Sequence, residues 1–186
     1  MKLTLALVIA AACGKSESST SAPAAPIDVA GVNALVPAEL KGKLEFEQRD
    51  VVEERGRKPE TYTLAAPKGW TQDMKSFAKL QAGNDLGFMT SLGVGSNCDG
   101  ACQAKDWAKV SEKTNFAQFR DAKLIKDEPG KTSHLMIAEK GDSTYVLYAW
   151  WRDGGTRYYT CMATLEAPVR AAAPAFAKAC QAVRTP

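Results

Sequence analysis

The segment from His134 to Glu166 constrains the fold of this 186-residue chain more than any other, because two short glycine loops fix how it must pair. His134–Lys140, Thr144–Arg152 and Arg157–Glu166 read as three strands, rich in aromatic and β-branched residues. Gly141-Asp142 and Gly154-Gly155 join them, and both dipeptides are two-residue hairpin signals. Loops of that length set the register. Across the second loop Trp151 faces Tyr158, Trp150 faces Tyr159 and Tyr148 faces Cys161. Across the first, Ala149 faces His134, Leu147 faces Met136 and Tyr145 faces Ala138. One face then carries Val146, Tyr148, Trp150, Tyr159, Cys161, Ala163 and Leu165. The other carries His134, Met136, Tyr145, Leu147, Ala149, Trp151, Tyr158, Thr160 and Met162. Both faces are mostly apolar, so both must be covered. The expected fold class is α+β: a mostly antiparallel sheet covered on both faces, an α/β/α sandwich with a C-terminal meander and a closing helix. This register sets Arg152 against Arg157, at a cost of only a few tenths of a kcal/mol at an exposed hairpin end.

Upstream, Leu40–Glu54 alternates, with Leu44 and Phe46 against Glu45 and Glu47, as a half-exposed strand with a charged outer face does. Ile27–Ala30 and Leu35–Pro37 lay an apolar edge onto the core before it. The loop Arg55–Pro59 leads to a second strand, Thr61–Ala65, which Pro67-Lys68-Gly69-Trp70 ends. Further strands are expected at 77–82 and 86–94, split by Gly83-Asn84-Asp85. A helix runs from Gln103 to about Asn115, with Trp107, Val110 and Thr114 on its inner stripe. Ala122–Lys126 reads as a strand ended by the Asp127-Glu128-Pro129-Gly130 turn. The chain closes in a helix that begins at Pro168 or Pro174 and ends near Arg184, since either proline suits a first turn.

This order, with Pro67-Lys68-Gly69-Trp70, the hairpin, the helix, the meander with Tyr158-Tyr159-Thr160-Cys161 and the amphipathic closing helix, resembles the PsbP-type α/β/α sandwich over about residues 60–184. That class includes photosystem subunits and small bacterial lipoproteins. The resemblance implies a fold and no particular activity.

The N-terminus adds a second resemblance. Met1-Lys2, the apolar run Leu3–Ala10 and the small pair Ala11-Ala12 have the order of an export signal. The run is too short for the roughly 20 residues of a membrane-spanning helix. With Cys13 directly after the small residues, the segment resembles a bacterial lipoprotein signal in which Cys13 is acylated, and the lipid is then the membrane partner. Gly14 after it resembles the outer-membrane sorting pattern of enteric bacteria. Residues 1–12 are thus expected to be a signal peptide, 13–26 a small-residue and polar tether with a reach of roughly 20 Å, and 27–186 one α+β domain.

Four further cysteines favour disulfides in an exported protein. Cys161 lies about 16 Å from the end of the last strand, and Cys180 about 18 Å into the closing helix. A helix folded back over the sheet brings them to one height, with Cys180 on the face of Phe176 and Val183. Cys161–Cys180 is the expected disulfide, and Cys98 is left to pair with Cys102 across Asp99-Gly100-Ala101.

The chemistry of most catalytic classes is missing from the text. His134 is the one histidine, and no Gly-x-Ser-x-Gly elbow accompanies it. Cys98 and Cys102 are separated by three residues, where thiol oxidoreductases have two. Gly93-x-Gly95 lacks the third glycine of a dinucleotide motif. Glu45/Glu47 and Glu53/Glu54 show no sign of burial. With 24 basic and 21 acidic residues interspersed and a net charge of +3, no basic stripe marks a nucleic-acid partner. The expectation is a non-catalytic binding or scaffold domain with no cofactor and no metal, its envelope protein or small-molecule partner unspecified. The alternative is a small-ligand binder or enzyme using His134, Trp151, Tyr158 and Thr160, which share one sheet face. That face is either such a pocket or a packed layer.

Overall fold

Eight antiparallel strands in two sheets and two α-helices form the described part of the chain, a computed structural model that describes residues 26–54, 58–76, 78–97, 119, 121–151 and 157–186. Cys13, the tether before Pro26, Cys98, Cys102, the helix expected over 103–115 with Trp107, and the Gly154-Gly155 loop with Arg152 lie outside those residues. In chain order the elements are α1 (Val29–Asn33), β1 (Phe46–Glu53), β2 (Glu60–Pro67), β3 (Ala78–Gln81), β4 (Ser91–Asn97), β5 (Lys123–Pro129), β6 (Ser133–Lys140), β7 (Ser143–Trp151), β8 (Tyr158–Leu165) and α2 (Ala173–Gln181). The class is α+β, with a C-terminal meander and a closing helix. β1 and β2 pair alone; the other six form one sheet in the order β3-β4-β8-β7-β6-β5.

The meander pairs in the register that its loops dictate. Trp151 opposes Tyr158, Trp150 opposes Tyr159, and Tyr148 opposes Cys161. Ala149 opposes His134, Leu147 opposes Met136, and Tyr145 opposes Ala138. Gly141, at φ 58°, takes the first loop position, where an L side chain would be strained. Tyr148, Trp150 and Tyr159 stack with centroids 5.2 and 5.6 Å apart.

The closing helix lies against this face. A 3-10 segment, Ala167–Ala172, carries Pro168 in its first turn, and α2 carries Pro174 in its own, so each proline opens a helical segment. Phe176, fully buried, meets Phe46 edge-on at 5.1 Å and Trp70 at 5.7 Å. Cys180 is bonded to Cys161, their Cα atoms 5.3 Å apart. Beyond α2 the chain returns to β2, where Arg184 and Thr63 exchange backbone hydrogen bonds of 2.9 and 3.2 Å.

Several boundaries differ from expectation for physical reasons. Val29–Asn33 is a helix rather than an extended edge: Asp28 caps it by accepting from the Gly31 amide at 2.8 Å, and pairs with Lys178 on α2 at 2.9 Å. The first strand starts at Phe46 because Asn33 holds both backbone groups of that residue. β4 starts at Ser91, not at 86, since Asn84–Leu86 is a 3-10 turn. β5 continues through the expected turn to Pro129, which an edge strand tolerates.

β1 departs furthest. Phe46 is buried and Glu45 and Glu47 are exposed, as the alternation requires, but Val51 and Glu53 are buried on the opposite parity. A two-stranded ribbon twists strongly, so its two ends present different faces to the core. Glu53 is therefore not part of a solvated face.

Candidate functional site

The twist of β1–β2 delivers a polar cluster to the edge of the larger sheet. β3 pairs with β4 only as far as Ala78 opposite Val94. Just beyond, at Gly95 and Ser96, the end of the β1–β2 ribbon arrives. Glu60 accepts from the Tyr62 hydroxyl at 2.7 Å and from Ser96 Oγ at 3.1 Å, and Arg157 Nη1 donates to its other oxygen. Tyr62, fully buried, also lies 3.3 Å from Glu53 Oε2. Burial pushes the Glu60 carboxyl up, but hydrogen bonds from Tyr62, Arg157 and Ser96, with the Arg157 charge, outweigh it and hold the group below the ordinary carboxylate range. Burial first, then the hydrogen bond to Glu60, drives the Tyr62 hydroxyl well above the ordinary tyrosine range. Arg157 thus points to Glu60 across the sheet edge.

Beside this cluster lies a cavity of about 300 Å³, lined among others by Glu53, Lys79, Gly93, Gly95, Thr160 and Thr164. Its floor is the second face of β4 and β8, where Gly93 opposes Met162 and Gly95 opposes Thr160. The dipeptide spacing Gly93-x-Gly95, unconvincing as a nucleotide motif, places two positions without side chains on one face of a strand.

The four residues singled out on that face occupy two adjoining rows of the sheet. His134, Ala149, Thr160 and Gly95 oppose one another in sequence across four strands, and Trp151 opposes Tyr158 one row further on. Of the four, Thr160 lines the cavity. His134 is buried at the far end of its row, with Nε2 2.5 Å from Asp127 Oδ1 on β5. Tyr158 is buried and Trp151 half-buried. Near His134, Phe119 packs with Met136, Ala138 and Leu147 as a small apolar cluster, and a second cavity of about 230 Å³ is lined by Phe119, Lys140, Tyr145 and Met162.

Glu53, Glu60, Tyr62, Gly93, Gly95 and Arg157 did not stand out from the sequence as a group. Two interior-strand glycines were the available signal; linking them to Glu53 required the twist of a separate ribbon. Among the described residues, no three His, Cys, Asp or Glu side chains converge as a metal site, and no helix is long and apolar enough to cross a membrane. No protein-family model matches the chain, and no curated protein matches its sequence.

Proposed function

We propose that this chain is a non-catalytic lipoprotein of the cell envelope, acylated at Cys13 and held at the outer membrane, which presents residues 27–186 as a binding domain of PsbP-like form. The observation that carries the reading is the position of Cys13, between a short apolar run with small residues and a small-residue and polar tether. The Cys161–Cys180 disulfide supports export, because such bonds persist in oxidising compartments. Cys98–Cys102 is the second disulfide of the same reading. The cavity lined by Thr160 favours a small molecule as the partner over a purely scaffolding role.

Membrane fractionation tests the anchor. The wild-type chain is expected in the membrane fraction, released only by detergent and labelled by an alkynyl fatty acid. Cys13→Ser should lose the label. A wild-type chain that is soluble without detergent sinks the proposal. Peptide mapping without reductant should recover Cys98 linked to Cys102.

A further inference from the structure

The turn between β3 and β4 is braced along its backbone, and it puts two large apolar side chains into solvent. Gly87 takes φ 99°, and a Cβ there would meet Glu166 Oε2 at 2.4 Å and Thr90 Oγ1 at 2.9 Å, so the position needs glycine. Thr90, fully buried, donates its hydroxyl to the Leu86 carbonyl at 2.8 Å and accepts from the Glu166 amide at 3.2 Å. The Glu166 carboxylate accepts from the Met89 amide at 3.1 Å. Between the buried Leu86 and Thr90 stand Phe88, 78% exposed, and Met89, 55% exposed. Phe88 is the most exposed large apolar side chain among the described residues. Turns are ordinarily served by Gly, Pro, Asn, Asp and Ser. An adjacent Phe and Met at the tip of one answer to something other than the turn.

The end of the fold that carries this turn is also the end near which the chain enters. Gln81 opposes Ser91, Ser91 opposes Thr164, and Thr71 bridges to Gln81. The β1–β2 ribbon therefore brings its Phe46–Pro67 end toward the turn, while its Glu53–Glu60 end lies at Ser96. Ile27 donates its amide to Gln48 at 3.2 Å, and Asn33 bonds both backbone groups of Phe46. The described chain thus starts beside Gln48, two residues from the ribbon end that leads to the turn. A coil the length of the expected tether reaches roughly 20 Å, less than the roughly 26 Å of an eight-residue strand such as β1. A membrane held through Cys13 is accordingly nearer the Phe46 end of the ribbon than the Glu53 end.

Two side chains supply only a small part of the about 800 Å² that each partner buries in a stable protein contact. A bilayer interface needs no such area from a protein that an acyl group already holds there, because the second contact is then intramolecular. Asp85, exposed beside the tip, and the Glu166 carboxylate behind it disfavour an anionic surface, which leaves zwitterionic headgroups. We propose that Phe88 and Met89 insert into the zwitterionic lipid interface of the membrane that bears the anchor, and so set the orientation of the domain on it. The proposal rests on the lipoprotein reading and adds a second membrane contact to it.

The test uses the acylated full chain in vesicles of phosphatidylethanolamine and phosphatidylcholine. The photoreactive residue p-benzoylphenylalanine replaces Phe88 or, at the opposite end of the ribbon, Lys58. Irradiation should join position 88 to lipid at least about tenfold more often than position 58. Phe88→Ser should leave the melting temperature unchanged, since the ring it removes is exposed. Equal lipid labelling at the two positions overturns the proposal, as does the absence of any lipid adduct at position 88. Cross-links from position 88 to a second copy of the chain in place of lipid overturn it too. So does a loss of stability in Phe88→Ser, which would show that the ring packs against the domain. A wild-type chain that is soluble without detergent removes the lipoprotein reading and this contact together. A chain that fractionates with membrane yet labels no lipid at position 88 loses the contact alone.

Discussion

The two sides of the six-stranded sheet are built from the same strands and have opposite characters. On the α2 side, β4 and β8 contribute Leu92, Val94, Cys161, Ala163 and Leu165, all buried, and the alanine-rich helix on that side is tied to β8 by a disulfide. On the other side the middle of those strands carries Gly93, Gly95, Thr160, Met162 and Thr164, none of them fully buried, between Ser91 and Tyr158, which are. A strand of period two can therefore serve rigid packing and an opening at once, because neighbouring residues answer to different demands. The contrast also runs along the second side itself: Met136 and Leu147 are buried, and the two glycines line a cavity.

Substitutions can break this contrast, and the largest effect belongs to the packed side. Phe176→Ala removes a fully buried ring that touches Phe46 and Trp70, and should cost about 4 kcal/mol in chemical denaturation. Losing less than about 1 kcal/mol would show that α2 is not the keystone of that side. Cys180→Ala opens a loop with a sequence separation of 19 and should cost about 3 kcal/mol in the chain-entropy account. Reductant should lower the melting temperature of the wild type by a similar margin and change Cys180→Ala far less.

The polar edge should respond much more weakly. Arg157→Leu removes a half-exposed partner of Glu60, worth about 0.2–1 kcal/mol at neutral pH. The sign of its pH dependence is fixed. Glu60 is held below its unfolded value, so the contribution is present above the ordinary glutamate range and fades as acid protonates the folded carboxylate. The difference between wild type and Arg157→Leu should accordingly shrink on acidification; a difference that grows would contradict the pairing. The smallest effect is a gain. Gly93→Ala should stabilise the chain by about 0.5 kcal/mol, since the added methyl has room and the unfolded chain loses freedom. A clear loss of stability would mean that this position is packed like the α2 side.

The legible parts of the fold were those fixed by local chemistry. Two-residue loops set the meander register, and two prolines marked where helical segments could start. The Cys161–Cys180 pairing followed from matching the rise of a strand to the rise of a helix. What escaped was set by long-range geometry. The alternation in β1 suggests a single phase, yet the ribbon twists between Phe46 and Val51 and turns Glu53 inward. That β1 and β2 form their own sheet has no signature in either strand. Asp127-Glu128-Pro129-Gly130 resembles a turn that would end β5, whereas an edge position lets the proline stay in the strand. Of the candidate site, Thr160 was found through the register; its glycine neighbours needed the pairing of β4 with β8, which no short loop announces.

The way the chain enters its domain has a consequence for orientation. Ile27 donates its amide to Gln48 on β1, and Asp28 holds Lys178, so the first described residues are clasped on the α2 side of the sheet. Gly93 and Gly95, which line the cavity, are on the other face of that sheet. The place where the chain enters the domain and the strand face that carries the two glycines are therefore on opposite sides of one sheet.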